Sequence, residues 1–110
     1  MSKRNEKLYI KDILSAIKHI ENYTEGISFE KFSDDQMIID AVVRNFEIIG
    51  EAAQKISQKT KFSAPEIPWQ DIVGMRNKII HEYFGVDLEI IWRTIQEALP
   101  VFKKAIKKIN

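Results

Sequence analysis

Residues 36 to 56 read QMIIDAVVRNFEIIGEAAQKI, and this stretch decides the fold class. Val42, Phe46, Ile49, Ala53 and Ile56 step by four and three, the spacing that stacks side chains on one face of an α-helix. Ile38, Ala41, Ile48 and Ala52 widen that stripe, so the helix carries apolar surface for more than one neighbour. It reads as the central helix of a bundle. Asp40 to Arg44 and Glu51 to Lys55 have the favourable i to i+4 order of surface ion pairs, worth roughly a few tenths of a kcal/mol each. Gly50 costs about 1 kcal/mol relative to alanine inside a helix, which is tolerated where another helix comes close.

Upstream, Ile10, Ile13, Leu14, Ile17, Ile20 and Tyr23 predict a first helix from about Lys3 to Tyr23, stopping near Gly26. A short connection holds Ser28, Phe29 and Phe32. Ser33-Asp34-Asp35-Gln36 then reads as a capping box, in which the serine oxygen and the glutamine side chain satisfy free amides at a helix start. Downstream, Lys59 to Pro68 is a break. A third helix is expected from near Trp69 through Ile72, Val73, Arg76, Ile80 and Tyr83 to Gly85, and Asp87 can cap a fourth. Ile91, Ile95, Leu99, Phe102, Ile106 and Ile109 keep their phase across Pro100, which predicts a kinked helix or two abutting ones. The expectation is all-α: a four- to five-helix bundle forming a single domain over residues 1 to 110.

The 110 residues include no cysteine and only two histidines, His19 and His81, so there is no disulfide frame, thiol nucleophile or helical metal-ligand motif. No apolar run reaches the roughly 18 to 20 residues of a membrane span, and the charged start lacks a signal-peptide core, so a cytoplasmic protein without membrane contact is expected. Net charge is +1, with 9 basic and 10 acidic residues up to position 60 and 8 against 6 after it. A nucleic-acid site would therefore have to be locally basic. Lys103, Lys104, Lys107 and Lys108 read as the sole basic cluster. They either offset the negative end of the last helix or touch RNA or a partner.

The third helix holds an anomaly, because Trp69, Ile72, Val73, Ile80 and Tyr83 all project within about 60° of Arg76. A guanidinium in the middle of an apolar stripe either snorkels or pairs with a buried carboxylate, or it borders a cleft where it grips phosphate. His81 lies about 140° around the helix from Arg76, whereas Asn77 is only about 40° from His81. One straight helix cannot aim Arg76 and His81 at one atom. They converge if the helix frays near Gly85, or if two copies of it face each other across a twofold axis. His19, between Lys18 and Ile20, reads as an ordinary surface or boundary residue.

The string from Arg76 to Tyr83, RNKIIHEY, resembles the R-x4-H-x-Y signature of HepT-like toxins, a branch of the HEPN superfamily of small helical proteins. Ile49-Gly50-Glu51-Ala52-Ala53, Ile67-Pro68-Trp69, Gly74-Met75-Arg76-Asn77 and His81 to Asp87 also follow that family's order, over about Lys7 to Pro100. The resemblance implies a HEPN-like homodimer whose two motifs line a composite cleft. It implies a toxin acting as a metal-independent endoribonuclease without cofactors. Its implied partner is a minimal nucleotidyltransferase antitoxin that transfers AMP from ATP to the motif tyrosine, here Tyr83.

RNA brings its own nucleophile, the 2′-hydroxyl, so the protein need supply only proton transfer and charge stabilisation. His81 suits the first as general base or acid, and Arg76 suits the second. Asn77 either orients the imidazole or bonds the RNA. Tyr83 either completes the apolar stripe or presents its hydroxyl for modification, and both roles are compatible. The competing reading is a non-catalytic helical subunit that docks a nucleotidyltransferase.

Overall fold

The computed structural model describes residues 5–74 and 87–109, and every described element is helical. Helix α1, Glu6–Thr24, begins where the Asn5 side chain accepts a hydrogen bond from the Lys7 amide at 2.8 Å. That cap starts the helix three residues after the expected Lys3, since an asparagine oxygen takes over one of the free amides of the first turn. Ile10, Ile13, Ala16, Ile17, Ile20 and Thr24 are buried. Tyr23 leaves the expected stripe and is 40% exposed, its ring stacked on His19 at 6.1 Å. Thr24 takes the inward position instead and donates from its hydroxyl to the Ile20 carbonyl. Gly26 then turns the chain at φ 75, a left-handed conformation that L side chains rarely adopt.

The expected connection through Phe29 and Phe32 is itself a helix, α2, Phe29–Asp34, capped by Ser28, whose hydroxyl accepts from the Lys31 amide. Six residues are too few for a hydrophobic period to be read. Phe32 is completely buried and packs on Trp92 at 5.2 Å. The expected capping box does not form, because Ser33 lies inside α2 and donates to the Glu30 carbonyl. Asp35 caps α3, Gln36–Gln54, accepting from the Ile38 amide at 3.1 Å, while Gln36 donates to Asp40. The Ile38 amide holds the Asp35 carboxyl below its ordinary value, with help from Lys31 at 3.4 Å.

Helix α3 is the central helix, with Ile39, Val42, Val43, Phe46, Ile49, Gly50, Ala52 and Ala53 buried, and its most extensive interface is with α1. Ile56 stays in the core two residues past the helix end. Asn45 is buried among these apolar groups and donates to the Ala41 carbonyl at 2.8 Å. That bond leaves its Oδ1 as acceptor for His19 Nδ1 at 3.3 Å. His19 is an exposed boundary residue, as expected, and it satisfies a buried amide across two helices.

The expected break contains a further short helix, α4, Gln58–Ser63, capped by the Ser57 hydroxyl. Glu6 at the start of α1 secures it: one carboxylate oxygen accepts from the Ser57 amide and the other from the Thr60 hydroxyl. The Ser57 amide and then the Thr60 hydroxyl hold the Glu6 carboxyl below its ordinary value, against a smaller opposing effect of burial. Helix α5 begins at Trp69, as expected, and is described over residues 69–74.

After residue 86, Asp87 caps α6, Leu88–Arg93, accepting from the Glu89 amide at 2.9 Å, as the sequence predicts. A π-turn over Thr94–Ala98 joins it to α7, Leu99–Lys107. Pro100 explains the turn. Proline has no amide hydrogen and its ring collides with the carbonyl four residues back. Widening the preceding turn, so that the Leu99 amide bonds the Thr94 carbonyl, carries the helical path through. Ile91, Ile95, Leu99, Phe102 and Ile106 stay buried across it, the phase continuity the sequence predicts. Among the described residues no helix is long and apolar enough to cross a membrane.

Candidate functional site

Arg76, Asn77, His81 and Tyr83 lie outside the described residues, between Gly74 and Asp87. Both flanks of that segment are tied into the core. Upstream, the Ala64 carbonyl accepts from the Ile67 amide and from the Trp69 indole, each at 3.2 Å. The Ile72 amide donates to the Pro68 carbonyl, closing the first turn of α5. Pro68 suits that position, since its fixed φ matches a helix start and its missing donor is not needed there. Trp69 is buried, and the Lys61 ammonium lies 5.9 Å from its ring centroid, within cation–π range. Downstream, the Asp87 carbonyl accepts from the Ile90 and Ile91 amides, and Ile91 is in the core. The described residues on either side of positions 75–86 are thus fixed to the core.

Two concavities flank the start of α5. An open cleft of about 730 Å³ is bounded by Gln54, Gln58, Lys61, Phe62, Trp69 and Gly74, among others. A more apolar groove of about 450 Å³ runs between α3, α5 and α7 over Phe46, Ile72, Leu99 and Phe102, with Glu66, Asp71 and Glu97 among its lining residues.

The C-terminal lysines divide. Lys103 reaches back to α1, its Nζ 2.9 Å from Glu21 Oε1, whereas Lys104, Lys107 and Lys108 are exposed. They are not the sole basic group. Lys55 follows α3 directly, and Lys59 and Lys61 sit on α4 beside Phe62, whose side chain is 79% exposed. The signal for this second group was present in QKISQKTKF, residues 54–62, where lysines alternate with polar residues and end on an aromatic. Among the described residues, no group of three or more His, Cys, Asp or Glu side chains converges as a metal site.

The description "Ribonuclease HepT-like" matches residues 13–109. "Probable ribonuclease HepT" of Thermococcus cleftensis is 45% identical over 108 residues, covering 98% of this chain and 98% of that protein. "Putative RNase MJ1380" of Methanocaldococcus jannaschii is 38% identical, over 97% of this chain and 98% of that one. "Putative RNase TTE0752" of Caldanaerobacter subterraneus is 42% identical, over 92% and 90%. No solved structure gives a significant match. An all-α chain with this motif and near end-to-end similarity to such proteins belongs to the HepT-like ribonuclease family.

Proposed function

We propose that the protein is a metal-independent endoribonuclease, the toxin of a toxin–antitoxin pair. The observation that carries the reading is similarity to a protein named as a ribonuclease over 98% of both chains, joined to the intact Arg76, His81 and Tyr83 of the motif. The anchoring of both flanks of the motif segment supports it, because catalytic groups act only when a rigid scaffold holds them.

In the proposed reaction His81 takes the proton from the 2′-hydroxyl as that oxygen attacks the adjacent phosphorus. The bond from phosphorus to the 5′-oxygen breaks, and the departing oxygen takes up a proton. Arg76 offsets the charge that accumulates on the phosphoryl oxygens. The products are a 2′,3′-cyclic phosphate and a 5′-hydroxyl. Asn77 orients the imidazole or bonds the RNA. A single chain offers one histidine in the motif, so two copies facing each other, each with its Arg76 and His81, form the composite cleft of a homodimer.

Transfer of AMP from ATP to the Tyr83 hydroxyl by a minimal nucleotidyltransferase antitoxin, with release of pyrophosphate, switches the activity off. It places a bulky anion where RNA phosphate must approach. Coexpression with the transferase followed by intact mass measurement tests this step. Increments of one or more AMP units that disappear in Tyr83→Phe are expected. Increments that persist in Tyr83→Phe place the modification elsewhere, and none at all removes the switch.

A further inference from the structure

The open cleft at the start of α5 has features that ribonucleolytic chemistry at Arg76 and His81 leaves unused. Phe62 is the last aromatic on α4 and is 79% exposed, beside a wall formed by Trp69. Trp69 itself is committed to the fold through its indole bond to Ala64. Lys61 lies over the Trp69 ring, so its ammonium is held at the cleft wall. Gln54 and Gln58 line the same space, and their side-chain amides each combine two donors with an acceptor. Lys55 and Lys59 flank it in sequence. The volume, about 730 Å³, falls within the range of small-ligand sites of ~300 to 1,000 Å³. The wall continues into Gly74, the last described residue before the motif segment.

From these features we infer that the cleft is a nucleobase subsite for single-stranded RNA. A base stacks on Phe62, the glutamine amides bond its edge, and Lys61 meets the adjoining phosphate. Exposed aromatics interleaved with lysines and amides are what unpaired RNA requires, since its bases present free faces and edges that a duplex hides. The apolar lining of Phe62, Pro65, Ile67, Pro68, Trp69 and Val73 is mixed with Lys61, Asp71 and three glutamine amides, a polar and charged content that suits a nucleotide better than the continuous apolar contact of a protein partner. Glu6 serves the subsite indirectly, because its bonds to Ser57 and Thr60 fix the start of α4, which carries Lys61 and Phe62. The inference rests on the ribonuclease reading and assigns that activity its substrate class: unpaired RNA, with one base held in the cleft that ends at Gly74.

The test uses the full chain and a fluorescein-labelled 2′-O-methyl oligoadenylate of about ten nucleotides, which binds but lacks the nucleophile, alongside cleavage of the unmodified RNA. Phe62→Ala should weaken binding by about five- to a hundred-fold, the range expected for one lost base stack. Phe62→Trp should restore it, and the loss in cleavage should fall on KM rather than kcat. Lys61→Gln should lower the dependence of binding on salt by about one phosphate contact, a slope change of roughly 0.7 for a single strand. A duplex of the same length should be bound less tightly and indifferently to Phe62. Wild-type binding and KM in Phe62→Ala, with cleavage intact, would overturn the subsite and leave the ribonuclease reading standing. Loss of transferase binding in Phe62→Ala with RNA binding unchanged would make the cleft a protein-docking site instead. A wild-type chain that neither binds nor cleaves RNA would overturn both readings.

Discussion

Lys103 Nζ lies 2.9 Å from Glu21 Oε1, joining α7 to α1 across 82 positions of sequence. Both side chains are about one-third exposed, so solvent screens the pair and its worth is about 0.2 to 1 kcal/mol. Lys103→Gln and Glu21→Gln should each lower stability by no more than that amount, and the double variant should lose little beyond either single one. Replacing Lys104, Lys107 and Lys108 together should lower the denaturant midpoint only slightly, since Lys104 and Lys107 are exposed cations in the last turn of α7 that offset its negative end. If those three touch RNA, the salt dependence of binding falls in that variant. Unchanged binding removes them from the RNA path.

Trp69 does two things at the head of α5: it fills the core and it donates to Ala64. Trp69→Phe keeps most of the packing and loses only the indole bond, at about 1 kcal/mol. The Ala64 carbonyl keeps the Ile67 amide as a donor, which holds the loss to the lower end. Trp69→Ala should cost about 3 to 5 kcal/mol, lowering the melting temperature by roughly 12 °C or more in a chain of this size. Thermal unfolding of the two variants separates packing from hydrogen bonding.

Glu6 makes stability depend on acid. Its carboxyl is held below the ordinary value of 4.5, first by the Ser57 amide and then by the Thr60 hydroxyl. A depressed folded-state pKa contributes stability that is fully present above the unfolded value and is lost as pH falls through the folded one. Wild-type protein should therefore lose more stability than Glu6→Gln as pH falls below about 4.5, and the two melting curves should converge at low pH. Melting temperatures of both proteins across that range give the comparison.

Gly74 is helical, and among the described residues a Cβ added there meets nothing within 4 Å. Gly74→Ala should raise stability by up to about 1 kcal/mol through helix propensity. Chemical denaturation measures the gain. A variant that is more stable and yet cleaves more slowly would mean that RNA or a second subunit approaches the backbone at this position.

The long elements were legible because their signals are local. The stripe from Val42 to Ala53, the Pro68-Trp69 helix start, the Asp87 cap and the phase kept across Pro100 all depend on residues within a few positions of each other. Helices α2 and α4 were not legible, since six residues hold less than two turns of pattern. The capping box read at Ser33 gave way to a cap at Asp35, because α2 runs to Asp34 with Phe32 buried under Trp92. The pairing of Lys103 with Glu21 and of His19 with Asn45 depends on how helices pack, which no single segment encodes. Of the candidate site, the motif could be read directly from Arg76 to Tyr83. The cleft beside Lys61 and Phe62 appeared only when α4 was placed against Trp69.

Cleavage of single-stranded RNA in EDTA by protein prepared without the transferase, compared with Arg76→Ala and His81→Ala, tests the central claim most directly. Circular dichroism should first confirm that both variants keep the wild-type helix content. The account predicts cutting by the wild type, products ending in 2′,3′-cyclic phosphate, and a rate reduced at least about a hundredfold in His81→Ala, the lower bound for loss of a general acid or base. An unmodified wild type that leaves RNA intact, or a folded His81→Ala that cuts at the wild-type rate, would contradict it.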